Sequence, residues 1–208
     1  MEKIDYKKSL KHLFAPSASK VEIVHVPSMN FLMVDGEGDP NTSKSFGDAI
    51  EALYSVSYTL KFMAKKGETG VDYGVLPLEA LWWSDDRLAF STGNKDAWKW
   101  TVMIMQPEFI TLAMVEKASL EVRRKKNPVS LPLVRFEAFE EGKAAQILHI
   151  GPFSEEGPTI EKVHSFIVGS GGRGTGRHHE IYLSDMRRTA PEKLKTIVRQ
   201  PMDDDWNS

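Results

Sequence analysis

The sequence predicts an α+β fold built from two ββαββ repeats, with antiparallel sheets, helices on one side and a central groove. Three observations predict it. Short alternating apolar runs flank one long amphipathic stretch in each half of the chain. The halves match in letters as well as order: Leu81-Trp82-Trp83-Ser84-Asp85 parallels Ile181-Tyr182-Leu183-Ser184-Asp185, and Met105-Gln106-Pro107 parallels Arg199-Gln200-Pro201. The 208 residues are also ordinary in make-up, 41 % hydrophobic and 27 % charged, which suits a chain able to bury about 70 % of its unfolded surface.

Asp5 to Phe14 reads as a short helix that stops before Ala15-Pro16, because proline disfavours helix in the preceding residue. Val21 to Val26 and Phe31 to Val34 read as strands of one hairpin, punctuated by Pro27-Ser28 and ended by Gly36 and Gly38. The longest helix follows. Asn41, Thr42 and Ser43 offer N-cap oxygens, Phe46, Ile50, Leu53, Ser57, Leu60 and Ala64 form one stripe, and Lys65-Lys66-Gly67 closes it. Tyr73 to Ser84 reads as a strand, Asp85-Asp86 as a turn and Trp98 to Met105 as another strand. A second helix opens at Pro107-Glu108, and its basic end, Arg123 to Lys126, is stopped by Asn127-Pro128. Such a run suits a helix C-terminus, where the dipole favours cations.

In the second half, Val134 to Phe139 and Ala144 to Ile150 read as a hairpin around Glu141-Gly142. Ser154 is the expected cap of a helix carrying Ile160, Val163 and Ile167. Gly169 to Gly176 reads as a loop, and His179 to Leu183 and Lys195 to Arg199 as strands. The repeats therefore fall at about 21–106 and 133–201 of one domain spanning 21–202, between an N-terminal helical extension (1–20) and a short tail (203–208).

Charge and composition exclude several function classes. Twenty-seven basic against 29 acidic residues give a net charge of −2, without the positive excess a nucleic-acid binder uses to displace counterions. With no cysteine there is no disulfide, thiolate metal site or thiol nucleophile. No signal peptide and no run of roughly 18 apolar residues is present, so the expectation is a cytoplasmic protein without a membrane partner. His178-His179-Glu180 lacks the spacing of a helical zinc site, and adjacent strand residues point to opposite faces, so no metal is expected. Gly169 to Gly176 lacks the Lys-Ser/Thr of a phosphate loop, and no cofactor is expected.

In a strand, Glu180, Tyr182 and Ser184 share one face and Ile181 and Leu183 the other. The apolar face is expected to meet the helix after Ser154, leaving Glu180 and Tyr182 to line the groove. In the first repeat Glu79, Leu81 and Trp83 share one face, and Ala80 and Trp82 the other. Matching the Ser-Asp pairs sets Trp82 opposite Tyr182; matching the glutamates needs a bulge, and either way the groove receives a tryptophan. Trp98, Trp100, Tyr54, Tyr58 and Tyr73 lie on neighbouring elements, and such a cluster suits a stacking cage for flat or cationic ligands. The competing use of this face is a homodimer contact.

Pro77-Leu78-Glu79-Ala80-Leu81-Trp82-Trp83, His179-Glu180-Ile181-Tyr182-Leu183-Ser184-Asp185 and Lys195-Thr196-Ile197-Val198-Arg199-Gln200-Pro201 resemble the GyrI-like small-molecule-binding proteins, over roughly Val21 to Met202. The resemblance implies SHS2-like repeats and a groove for planar, aromatic or amphipathic small molecules. In multidrug-responsive regulators of this family the matching glutamate receives cationic aromatic drugs. With only 20 residues before the domain, this chain looks like a stand-alone member. Some stand-alone members with the Leu-Glu-x-Leu-Trp-Trp signature hydrolyse cyclopropane-bearing DNA-alkylating compounds. That likeness implies detoxification by water addition, with Glu180 as general base, Tyr182 or Tyr73 as proton donor, and Trp82, Trp83 and Tyr182 stacking the substrate. Glu79, Tyr54, Tyr58 and Trp100 complete the implied binding set. The other reading is a non-catalytic protein that sequesters or senses small molecules, or contacts gyrase.

Overall fold

A computed structural model describes residues 3–67, 70–86 and 93–204. They form two compact units, each built on antiparallel strands. The first unit holds Met29–Phe139 and the N-terminal residues up to Tyr6; the second holds Lys7–Ser28 and the chain from Glu140 onward. Among the described residues no helix is long and apolar enough to cross a membrane.

The first unit's sheet is built from β3 (Met29–Glu37), β5 (Leu78–Trp83), β6 (Lys99–Gln106) and β7 (Arg135–Phe139), in the order β5-β6-β3-β7. Strand β1 (Lys3–Ile4) pairs in parallel with β4 (Asp72–Tyr73) beside it. The predicted strand 73–84 is thus two pieces. Helix α3 (Lys44–Lys66) buries Ala49, Ala52, Leu53, Val56, Ser57, Leu60 and Ala64 against one sheet face, where Gln106 Nε2 donates to Ser57 Oγ at 3.2 Å. It ends where the Gly67 N–H bonds the Met63 carbonyl. Helix α4 (Leu112–Lys125) packs on α3. It starts later than Pro107 suggests, because Thr111 supplies the cap, its hydroxyl accepting from the Met114 N–H. Asn127, at φ 47°, turns the chain out of α4 before Pro128.

The second unit's sheet runs β2 (Glu22–Val26), β8 (Gly142–Ile150), β11 (Lys195–Asp203), β10 (His178–Tyr182), with the two-residue β9 (Arg173–Gly174) on the end of β11. Helix α5 (Gly157–Gly169) lays Val163 and Ile167 on Ala145, Ile147, Val198 and Met202. The predicted N-terminal helix is two single turns, α1 (Tyr6–Ser9) and α2 (Lys11–Phe14). The second turn bonds to the sheet face opposite α5, where His12 and Leu13 carbonyls accept from Gln146 and Arg199. Of the expected tail, Asp203 ends β11, and residues 205–208 lie outside the described residues.

Neither predicted hairpin forms. β2 pairs with β8, and β3 with β6 and β7; β7 does not pair with β8. The first strand of each predicted repeat therefore belongs to the other unit's sheet. A two-residue hairpin loop needs positive φ, and proline is fixed at negative φ, so Pro27-Ser28 cannot close one.

Gly36 is fixed by a close approach. A Cβ there falls 2.2 Å from the Trp100 ring, which lies 1 % exposed across the strand pair. Gly36→Ala is expected to displace Trp100 and destabilise the fold by about 1–3 kcal/mol, read as a lower thermal midpoint with altered tryptophan fluorescence.

Candidate functional site

The register of the first unit decides where its aromatics point. Trp82 pairs with Trp100 and Ala80 with Val102, on the face that carries α3; Glu79, Leu81 and Trp83 occupy the opposite face. Phe46 of α3 stacks on Trp82 at 5.6 Å and meets Trp100 edge-on at 5.1 Å, and Trp98 closes on Trp82 at 5.7 Å. Trp82 and Trp100 thus form one cluster with Phe46 and Trp98. Trp82 is buried, Trp83 half-buried, and Glu79 buried beneath the opposite face. The three tyrosines lie elsewhere. Tyr54 and Tyr58 pair with each other on α3, starting about 12 Å along the axis from Phe46. Tyr73 in β4 meets Tyr6 and Phe109 edge-on, and burial raises the pKa of its hydroxyl.

In the second unit the orientation of β10 is the reverse of the expected one. Glu180 pairs with Val198, and Val198 packs under α5, so His178, Glu180 and Tyr182 share the helix-covered face. Ile181 is fully buried on the other face, beside His179. Apolar character could not choose between the faces, because both sides of this sheet are buried.

The helix-covered face gathers a polar cluster. The Tyr182 hydroxyl donates to Glu180 Oε2 at 2.7 Å, and His178 Nε2 lies 3.2 Å from Glu180 Oε1. The Tyr182 ring meets Phe153 edge-on at 5.6 Å. Glu156, the residue before α5, is 3 % exposed and adjoins Glu180. It takes the N-terminal position expected for Ser154, which instead sits in the 3₁₀ turn Phe153–Glu155. His149 holds that turn: its Nε2 bonds the Pro152 carbonyl at 3.3 Å, and its Nδ1 lies 2.9 Å from Thr159 Oγ1. A carbonyl only accepts, so Nε2 carries a proton.

Glu156 is the residue that sequence reasoning missed. The available signal was Pro158, since proline in the first turn marks a helix start and places Glu156 at its edge. Burial, then the charge of Glu180 and the hydrogen bond with it, push Glu156 up to about 8, against the opposing effect of the Thr196 hydroxyl. At neutral pH Glu156 is therefore protonated beside Glu180. A protonated carboxyl beside a second one can donate where the other accepts.

This shift has a measurable consequence. The folded pKa of Glu156 lies above its ordinary value of 4.5, so the stability it confers is complete below that value and is lost as pH rises through about 8. Glu156→Gln has no proton to lose. Its stability relative to wild type, followed by thermal unfolding, is expected to climb steadily between pH 5 and 9, by on the order of a few kcal/mol in total; parallel curves contradict the assignment.

The other face of β10 carries a buried ion network. His179 Nδ1 lies 2.9 and 3.0 Å from the two Glu141 oxygens, and Arg199 Nη1 donates to Glu141 Oε2 at 3.1 Å. Arg199 also donates to Gln146 Oε1 and to the Leu13 carbonyl. Burial raises the Glu141 pKa, but the His179 and Arg199 charges outweigh it and hold the carboxyl at about 2. The adjacent histidines 178 and 179 do point to opposite faces.

A family model for the GyrI-like small-molecule-binding domain matches residues 19–201. The chain belongs to the GyrI-like family. Among solved structures, this GyrI-like chain is similar to an uncharacterised conserved protein from Listeria innocua, with 45 % identity, 96 % of this chain and 100 % of that one covered, and a TM-score of 0.88. Two structures described as hydrolases from Listeria innocua are each 43 % identical. One covers 96 % of this chain and the other 97 %, each 100 % of its own, with TM-scores of 0.84 and 0.87. The EcmrR C-terminal domain, at 9 % identity, a TM-score of 0.56 and coverage of 88 % and 97 %, shares the fold alone. No curated protein matches the chain.

Proposed function

We infer that this GyrI-like protein binds planar aromatic small molecules and adds water to strained electrophiles among them, such as a cyclopropane conjugated to a dienone. The observation that carries the reading is the carboxyl pair, a buried Glu156 adjoining Glu180, which accepts from Tyr182. The family's small-molecule binding and the two similar Listeria innocua hydrolases support it.

The chemistry asks little of the protein. The ring is already strained, so catalysis needs a bound flat ligand, an oriented water and a base. Glu180 is the base. Tyr182 and His178 fix the direction of its carboxylate. Glu156 is raised well above the usual carboxylate range, so the pair keeps a proton at neutral pH. Trp82, Trp100, Tyr54, Tyr58 and Tyr73 act as packing groups within the first unit. The electrophile is a detoxification substrate, and the reaction draws on no cofactor.

Incubation of the protein with a planar spirocyclopropyl dienone, followed by mass spectrometry, tests the reading. Conversion to the water adduct, faster than in buffer and saturable, is the expected result. Ligand recovered unchanged after stoichiometric binding shows instead a sequestering or sensing protein.

A further inference from the structure

Residues 153–158 bring Glu156 to Glu180, yet little in the run is anchored. Phe153, Ser154, Glu155, Gly157 and Pro158 are exposed, and Glu156 is its buried member. Pro158 has no N–H to donate, and α5 begins without a side-chain cap. A buried carboxyl is costly to keep from water. With both flanks in solvent, the run can carry Glu156 outward with little loss of its other burial, unless a group outside it holds the backbone.

His149 is placed to do so. It stands in β8 opposite Thr196 of β11, which in turn pairs with Tyr182 of β10, so the three share the α5-covered face. The ring is 7 % exposed and bonds both ends of the run. Its Nε2 donates to the Pro152 carbonyl, and Nδ1, the nitrogen without the proton, accepts from the Thr159 hydroxyl. Glu156 lies between these anchors, and its carbonyl accepts from the N–H groups of Thr159 and Ile160, both at 2.9 Å. Gly151 lets the chain turn back over the ring. Its φ of 143° favours glycine, and a Cβ there falls 3.3 Å from His149 Nε2.

We propose that His149 is a positioning residue for the carboxyl pair: by clamping Pro152 and Thr159 it holds Glu156 against Glu180. The inference deepens the hydrolytic reading and rests on it for the effect on rate. His149 acts through Glu156, whose surroundings are Glu180, with its partners His178 and Tyr182, and the Thr196 hydroxyl. Burial is the largest influence raising Glu156, so a loosened run that admits water lowers its pKa.

His149→Leu and His149→Gln test this in the full chain. Leucine fills the buried space without either bond, whereas glutamine keeps an N–H for the Pro152 carbonyl. The leucine variant is expected to lower the Glu156 midpoint from about 8 by about one pH unit or more, and to lose about 10- to 100-fold in kcat on the spirocyclopropyl dienone. Exchange of the Thr159 and Ile160 amide hydrogens is expected to quicken about tenfold or more. The glutamine variant recovers most of each loss. A leucine variant with wild-type midpoint and wild-type exchange overturns the proposal, even where its thermal midpoint falls. So does a folded glutamine variant as impaired as leucine. Should the leucine variant fail to fold, Thr159→Val, which removes one of the two anchors, decides by the same readouts: changes in the same direction sustain the proposal and wild-type values overturn it. Should wild type yield no water adduct, the hydrolytic reading fails by itself, and the midpoint and the exchange rates still decide the role of His149.

Discussion

On the proposed hydrolytic reading, Glu180→Gln is expected to lower the rate of water addition by about 10² to 10⁴ while a neutral planar ligand binds as before. The substitution keeps the side chain's shape and removes its basicity. Glutamine oxygen still accepts from the Tyr182 hydroxyl, so the ring, held edge-on by Phe153, has no reason to move. What disappears is the charge that, on that reading, draws a proton from water. It also removes one of the influences raising Glu156, whose pKa falls from about 8. Progress curves with the spirocyclopropyl dienone and an equilibrium titration with a neutral flat dye separate the two effects. Unchanged hydrolysis removes Glu180 from the chemistry, and joint loss of hydrolysis and neutral-ligand binding makes it a support of the site.

The second large effect lies on the opposite face of the same strand. Arg199→Met leaves Glu141 ionised and 1 % exposed with one of its two cations gone, and also strips Gln146 Oε1 and the Leu13 carbonyl of a donor. Breaking a buried charge network in this way costs about 3–5 kcal/mol. For a chain of this length that corresponds to a thermal midpoint lower by roughly 10 °C. Glu141 also gives the network a pH signature. Its folded pKa, about 2, is depressed below the ordinary 4.5, so its contribution is present above 4.5 and lost as pH falls through about 2. Glu141→Gln is expected to flatten the acid limb of the stability curve measured by circular dichroism. A wild-type-like thermal midpoint in Arg199→Met contradicts this account of the network.

Much of the architecture was legible because periodicity and punctuation report on local structure. The stripe along α3, the Lys65-Lys66-Gly67 ending and the face pattern of Leu78–Trp83 all describe single elements, and all agree with the structure. Partner choice is a different matter. Pro27-Ser28 told of a break between β2 and β3, but only the register shows that β2 continues the sheet of β8. The same limit governs the site. Glu180 and Tyr182 were readable as a pair because two residues apart in a strand means one face. Which face depended on Val198 and α5, far along the chain, and the apolar Ile181 pointed the wrong way because burial is two-sided here. Pro158 marks Glu156 as the edge of a helix but not as a group with chemistry. Glu156 matters through proximity to Glu180, which only the fold creates.

The central claim is that Glu156 and Glu180 form a pair in which Glu156 keeps its proton at neutral pH. Isotope-edited NMR of the glutamate carboxyl carbons, followed from acid to pH 9, tests it most directly. The Glu156 signal is expected to hold its protonated position at pH 7, to titrate with a midpoint near 8, and to shift to lower pH in Glu180→Gln. A Glu156 midpoint between 4 and 5, unmoved by that substitution, would contradict the claim.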